Sequence, residues 1–193
     1  MDLKEKVRVL ISKFPLIKKS EVEVIVEMTI VDKFKKGTIL LREGQTPTKC
    51  YMVVEGCVRE YLIKDGEEKS TAFYTEGDTF TPHAQNSEPS QHYWQCEEEC
   101  ILTISNKSFA EEIRAALPRL DDVFQGIAVE TINKVKQEWN QFVTSSPEER
   151  YLNLLKTKPS LFRRVPHHQI ASYLGMKPQS LSRIRKRIAE KRK

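Results

Sequence analysis

The sequence predicts an α+β protein, in which an N-terminal antiparallel β-roll of the jelly-roll type with flanking helices precedes a long helix and a small helical domain. Glycines recur every 7 to 12 residues between short β-rich runs from Lys36 to Ser105, a spacing typical of antiparallel rolls. After Lys107 the apolar residues step by three or four, the period of a helix. The charge also divides: residues 150–193 carry 13 Lys and Arg against one acid, and residues 1–149 carry 19 against 26, which together give +5.

Composition favours a folded protein outside the membrane. Hydrophobic residues make up 39% and charged residues 31% of the 193 positions, and no run approaches the roughly 18 apolar residues of a membrane span. The N-terminal segment has no apolar secretory core, so we expect a cytoplasmic protein. Cys50, Cys57, Cys96 and Cys100 show no CxxC spacing, and we expect reduced thiols, with a redox or metal role left open.

The N-terminal elements follow from local pattern. Leu3, Val7 and Leu10 fall at helix spacing, and Ser20 with Glu23 has the capping-box arrangement for a second helix. The predicted strands are the runs TILL, YMVV, CVREYLI, STAFYT, HYWQC and CILTIS. Between two of them, Asp65-Gly66 predicts a tight hairpin, because both turn positions need positive φ.

A long helix is predicted after the roll. Its apolar residues share one face from Leu120 to Phe142. Two interpretations remain open, because this stripe can cover the roll or form a helix-to-helix dimer seam. The seam residues would be Phe124, Ile127, Thr131, Val135 and Trp139.

The next helix has a clear start, with Ser146 as N-cap, Pro147 at the first helical position and Glu149 three residues after the cap. We therefore predict three segments: a sensor domain at residues 1–118, a connecting and dimerisation helix at 119–144, and a helical domain at 145–193.

The last segment predicts a helix-turn-helix that binds DNA. A short helix ends near Leu174, Gly175 supplies the turn, and Pro178 starts a second helix that buries Leu181, Ile184 and Ile188. In such a motif the second helix enters the major groove. Arginine pairs with guanine edges and glutamine with adenine edges, and basic or hydroxyl groups contact phosphate. The DNA-binding residues would be His167, Lys177, Pro178, Gln179, Ser180, Ser182, Arg183, Arg185, Lys186 and Arg187.

The order of these parts resembles the Crp/Fnr transcriptional regulators over nearly the whole chain. The resemblance lies in FKKGTILLREGQ, YMVVEGCVREYLI, the EGD of residues 76–78 and ASYLGMKPQSLSRIRK. It implies a cyclic-nucleotide-binding-like roll and a homodimer that reads a palindromic operator on double-stranded DNA, with RNA polymerase as a further candidate partner.

The departures from that family concern the ligand. Members that bind cyclic AMP have Gly-Glu and Arg-Ser pairs where this chain has Thr81-Pro82 and Pro89-Ser90, and proline offers neither charge nor a side-chain donor. We therefore expect no cofactor and no tight binding of a cyclic nucleotide. If another effector binds, the candidate pocket residues are Thr81, His83, Ser90, Tyr93 and Val135, which equally suit a closed core.

A β-roll also suits two other functional classes. A metal-holding β-roll enzyme needs clustered histidines, but the roll has only His83 and His92 without an HxH pair, so no catalytic or metal residue is predicted. A ligand-sensing roll that acts through protein partners is the alternative function, and the basic C-terminal segment argues against it.

Overall fold

The computed structural model describes residues 2–81 and 88–190. His83 and Pro82 lie outside the described residues, as do the three basic residues after Glu190. The chain divides into two compact units, one formed by residues 1–60 and 73–131 and the other by residues 61–72 and 132–193.

Within the described residues, the β-roll has two four-stranded sheets. Its strands are β1 (Ile30–Phe34), β2 (Ile39–Leu41), β3 (Cys50–Glu55), β4 (Val58–Lys64), β5 (Glu67–Tyr74), β6 (Thr79–Phe80), β7 (Tyr93–Cys96) and β8 (Cys100–Ser105). The strand orders are β1-β8-β3-β6 and β2-β7-β4-β5. Strand β8 pairs antiparallel with both β1 and β3, so the predicted antiparallel sheets with flanking helices are confirmed.

Helices flank the roll in the first unit and build most of the second. They are α1 (Leu3–Ile11), α2 (Lys19–Met28), α3 (Lys107–Ala116), α4 (Arg119–Thr144), α5 (Pro147–Thr157), α6 (Leu161–Arg164), α7 (His167–Tyr173) and α8 (Pro178–Glu190). Helix α4 contributes residues to both units. No helix in the described ranges has the length and apolarity that crossing a bilayer requires.

The capping box predicted for α2 does not form at Ser20 and Glu23. The helix begins earlier, and Glu21 accepts the N–H of Lys18 at 2.8 Å. Glu23 instead accepts the Arg8 guanidinium of α1 at 2.8 Å. The Glu23 carboxylate therefore forms a salt bridge between two helices instead of the predicted cap.

The interior of the roll is filled by aromatic rings. Phe80 stacks on Tyr51 at 5.3 Å and on Tyr74 at 4.7 Å, and it meets the edge of Trp94 at 5.0 Å. The buried carboxylate of Glu60 accepts the Trp94 indole N–H at 2.9 Å and the Tyr74 hydroxyl at 3.1 Å. These hydrogen bonds satisfy polar groups that would be costly to bury alone.

Gly56, in the turn between β3 and β4, gives a stability prediction. Its φ is +111°, and a Cβ there would lie 2.6 Å from Cys100 Sγ and 2.9 Å from the Glu99 carbonyl oxygen. Gly56→Ala should therefore lower the free energy of unfolding by about 2–5 kcal/mol, because strain adds to overpacking. Gly44→Ala is the control, since its φ is +80° with nothing within 4 Å of the added methyl, and it should cost about 1–2 kcal/mol. Equal losses in urea unfolding would show that the contact at Gly56 has no effect.

The second unit includes the distal half of the β4–β5 hairpin. The turn is formed by Asp65 and Gly66 with φ of 55° and 76°, as the dipeptide predicted. Ser172 Oγ of α7 accepts the Ser70 N–H at 3.0 Å and donates to the Glu68 carbonyl oxygen at 3.3 Å. No sequence signal indicated this packing of the hairpin against α7.

Candidate nucleic-acid interface

Helix α5 of the second unit begins at its predicted cap. Ser146 Oγ accepts the Glu149 N–H at 3.3 Å, and Glu149 Oε2 accepts the Ser146 N–H at 2.7 Å. The Ser146 backbone hydrogen bond holds the pKa of the Glu149 carboxyl below its ordinary value, because it stabilises the charged form. The local sequence thus fixes where α5 starts.

Helices α7 and α8 are joined by a turn that depends on Gly175. Its φ is +67°, a conformation that side chains other than glycine rarely adopt. Pro178 occupies the first position of α8, as predicted. Leu181, Ile184 and Ile188 are buried on one side of α8, so the helix is anchored through the predicted face and its other side is left to solvent.

All ten residues predicted to contact DNA are exposed. They are His167, Lys177, Pro178, Gln179, Ser180, Ser182, Arg183, Arg185, Lys186 and Arg187. A recognition surface requires such exposure. These residues differ in their contacts with the rest of the unit, and on that basis they form an outward face and two flanks.

The outward face of α8 carries Gln179, Arg183 and Lys186. These positions are four and three residues apart, so they lie in a row opposite the buried face. Their side chains make no hydrogen bond or ion pair with other groups in the described part of the chain. The row therefore presents one amide and two cations that are free to bind an external partner.

The flanks of α8 are partly engaged within the unit. Arg185 Nη1 lies 3.0 Å from the ring nitrogens of His167, at the start of α7. Arg185 and Ser182 also line an open cleft of about 510 Å³ between α5 and α8. On the other flank Arg187 forms an ion pair with Glu148 of α5. Sequence reasoning missed that ion pair, because nothing in the local pattern couples the two helices.

Helix α4 carries the predicted dimer-seam residues. Phe124, Val135 and Trp139 are exposed at 44%, 57% and 62%, Ile127 is half-buried, and the Thr131 hydroxyl donates to the Ile127 carbonyl oxygen at 2.8 Å. The exposed apolar side chains extend beyond that set to Ile132 and Val143. Such large apolar side chains in solvent are unfavourable unless something covers them.

Four of the predicted ligand-pocket residues lie in the described ranges. Thr81 is exposed, and Tyr93 and Ser90 are half-buried. Ser90 Oγ lies in the loop before β7 and bonds both the carbonyl oxygen and the N–H of His92 at 3.0 Å. Val135 is exposed on the part of α4 that belongs to the second unit.

An open cavity of about 430 Å³ lies elsewhere in the roll. It is lined by Leu40, Tyr51, Trp94 and residues of the loop that joins β2 to β3. Thr81, Ser90, Tyr93 and Val135 are not among its lining residues. No Lys or Arg occurs between Lys69 and Lys107, and the buried guanidinium of Arg59 faces the Glu97 carboxylate at 4.0 Å. Residues 70–106 thus supply no Lys or Arg, whereas Lys49 of the loop that joins β2 to β3 lines the cavity.

The four cysteines are free thiols, and Cys57, Cys96 and Cys100 are buried. Cys100 Sγ donates to the Cys57 carbonyl oxygen at 3.4 Å. In the described ranges no group of three His, Cys, Asp or Glu side chains is arranged to hold a metal ion.

Comparison with known proteins finds a match for the roll. Residues 31–115 match the cyclic nucleotide-binding domain. The match includes all eight strands except the first residue of β1, and it ends within α3. The name of this domain describes the sequence family and does not identify a ligand of this chain. No curated protein sequence matches the chain.

Solved structures match a larger part of the chain than the cyclic nucleotide-binding domain. FixK2 from Bradyrhizobium japonicum is 17% identical, with 84% of this chain and 85% of that chain covered and a TM-score of 0.67. CLP from Xanthomonas campestris, described as a c-di-GMP responsive global regulator, is 14% identical, with 90% and 93% covered and a TM-score of 0.68. The Thermus thermophilus catabolite activator protein is 17% identical, with 92% and 86% covered and a TM-score of 0.56. At these identities the similarity shows the fold.

Sequence reasoning also missed a contact at the turn before α8. Arg150 of α5 donates to the Leu174 carbonyl oxygen at 2.9 Å and lies over the Phe142 ring at 4.3 Å. In the sequence, nothing marks Arg150 or Phe142 as partners. Only the fold shows that both side chains meet at Gly175.

Proposed function

We propose that this chain is a homodimeric, sequence-specific DNA-binding transcription regulator of the Crp/Fnr type that does not respond to cyclic AMP. The observation that carries the proposal is the outward face of α8, where Gln179, Arg183 and Lys186 are exposed and unpaired among the described residues. A regulator of this kind acts on the chromosome, with RNA polymerase as a further candidate partner, and a cytoplasmic location fits that role.

The chemistry of α8 suits a major groove. Gln179 and Arg183 lie in its first two turns, and a recognition helix meets base edges with those turns. The guanidinium donates two hydrogen bonds to guanine, and the amide pairs with adenine. Lys186 lies one turn further on, where a cation meets phosphate and adds affinity without discrimination.

A homodimer accounts for the exposed stripe on α4. Two copies packed through Ile132, Val135 and Trp139 would cover side chains that a single chain leaves in water. Closed two-fold symmetry is the commonest form of a soluble oligomer, and it places two copies of α8 on half-sites of a palindrome.

The chemistry of the roll supports the proposed absence of a cyclic-nucleotide response. Aromatic rings stack in its interior, and the cassette positions Pro89 and Ser90 provide no cation. Each missing charge-assisted hydrogen bond to the cyclic phosphate costs about 1.5–3 kcal/mol. We infer that any effector of this protein differs from a cyclic nucleotide.

This inference predicts the outcome of a calorimetric titration. Cyclic AMP and cyclic GMP should each bind with a dissociation constant of about 1 mM or weaker, because at least two such bonds are missing. Micromolar binding of either nucleotide to the full chain would overturn the inference about the cassette and leave the DNA-binding proposal standing.

The DNA-binding proposal is tested by selection. The full chain should enrich a roughly palindromic sequence from a random duplex library at physiological salt. Footprinting of that sequence should then show two protected half-sites with centres roughly 10 base pairs apart. Failure to enrich any sequence over the starting library would defeat the proposal.

A further inference from the structure

Arg150 holds together three parts of the second unit. Its Nε donates to the Ser145 carbonyl oxygen at 3.1 Å, just after α4, and its Nη1 donates to the Leu174 carbonyl oxygen at 2.9 Å, at the end of α7. A helix cannot satisfy its last carbonyl groups itself, so a donor from another helix fixes the position of that end. One planar guanidinium thus bridges the end of α4 and the turn that leads into α8.

The contact continues towards the exposed stripe of α4. The Arg150 guanidinium lies 4.3 Å from the centroid of the Phe142 ring, and that ring stacks on Trp139 at 6.3 Å with an interplanar angle of 14°. Trp139 is 62% exposed on the stripe. Stacked rings and a cation over a ring each favour one relative position of the groups.

The turn itself is fitted closely to this arrangement. A Cβ at Gly175 would lie 3.0 Å from Arg150 Nη1 and 3.2 Å from Phe142 Cζ. The backbone of the turn therefore packs directly against both side chains. A shift of the guanidinium or the ring would move the turn, and α8 begins three residues after it.

We propose that Arg150 is a positioning residue that sets the orientation of α8 relative to the dimer seam through Phe142 and Trp139. This rests on the proposed function, because it assigns Arg150 a role in DNA recognition without contact to DNA. In a dimer, orientation decides whether both copies of α8 reach their half-sites at once. Arg150 therefore controls how strictly the protein requires one half-site spacing.

The test compares two duplexes in the full-length protein. One is the palindrome that the wild-type protein selects, and the other has one extra base pair between its half-sites. The measured quantity is the dissociation constant for the duplex with the extra base pair divided by that for the selected palindrome. Arg150→Met, which removes both hydrogen bonds, should lower this ratio by about 10-fold and leave binding to a shuffled duplex unchanged.

Two variants separate position from charge. Arg163→Met removes the same charge from an exposed residue of α6 and should keep the wild-type ratio. Arg150→Lys keeps the charge but lacks the planar fork that reaches two carbonyl groups. It should therefore lower the ratio as Arg150→Met does. A wild-type ratio in Arg150→Met, or full restoration by Arg150→Lys, would overturn the proposal.

Folding is checked by thermal melting of each variant. Should Arg150→Met not fold, Phe142→Leu provides the same test, because it removes the stacked ring and keeps an apolar side chain. It should lower the ratio in the same direction, and an unchanged ratio would overturn the proposal. If the wild-type protein binds selected and shuffled duplexes equally, the proposed function itself is wrong. If the wild-type protein prefers the selected duplex and the variants keep its ratio of dissociation constants, only the role of Arg150 is wrong.

Discussion

Replacement of Arg183 by alanine is expected to abolish the preference for the selected palindrome. Its unpaired guanidinium lies on the outward face of α8, where it can make two hydrogen bonds to a guanine. The loss of specific binding free energy should be about 1–3 kcal/mol for each half-site. Binding to random duplexes should change much less, because phosphate contacts supply most of it.

Lys186→Ala gives the contrasting result. Lys186 should contact phosphate, so its removal should weaken specific and random duplexes alike and should lower the salt dependence of binding by about one counterion per half-site. Arg163→Ala is the control for charge, since this exposed α6 arginine should leave the ratio of specific to random binding unchanged. Fluorescence anisotropy at several salt concentrations measures both quantities. Equal losses on both duplexes for Arg183→Ala and Lys186→Ala would contradict the assigned roles.

Trp139→Glu is expected to convert the proposed dimer into a monomer. Trp139 is 62% exposed within a single chain, so the substitution should cost the fold of the chain less than about 1 kcal/mol. In the proposed seam it would remove a large aromatic contact worth about 3–5 kcal/mol per copy and bury an unpaired carboxylate. Sedimentation equilibrium should show dissociation, with DNA affinity reduced to that of one half-site.

The control for that experiment lies on the other side of α4. Gln137→Glu introduces the same charge at an exposed position away from the apolar stripe, and it should remain dimeric. A dimeric Trp139→Glu protein would show that the stripe on α4 is not the subunit interface.

Local signals in the sequence predicted several elements well. The capping box of Ser146 and Glu149 and the Asp65-Gly66 hairpin formed as expected, because each depends on residues only a few positions apart. The buried face of α8 also followed from spacing alone. These features need no information about the rest of the chain.

Tertiary contacts explain what the sequence did not predict. Strand β1 (Ile30–Phe34) has a mostly exposed burial pattern and was not among the predicted runs; it exists because it pairs with β8 from Ile30 opposite Ile104 to Phe34 opposite Cys100. Glu23 does not form its predicted cap because its carboxylate binds Arg8. Both outcomes depend on residues distant in sequence, which periodicity does not reveal.

The candidate site divides in the same way. The exposed row of Gln179 and Arg183 could be predicted, because helix spacing places it opposite the buried residues of α8. The ion pair of Arg187 with Glu148 and the contact of Arg150 with Leu174 could not, because the packing of α5 against α7 and α8 brings these groups together.

In the proposed dimer, the outward face of α8 reads base pairs. The most direct measurement is the ratio of dissociation constants for the selected palindrome and a shuffled duplex of equal length, at physiological salt. The wild-type protein should bind the palindrome about 1,000-fold or more tightly. Equal affinity for the two duplexes would contradict the account.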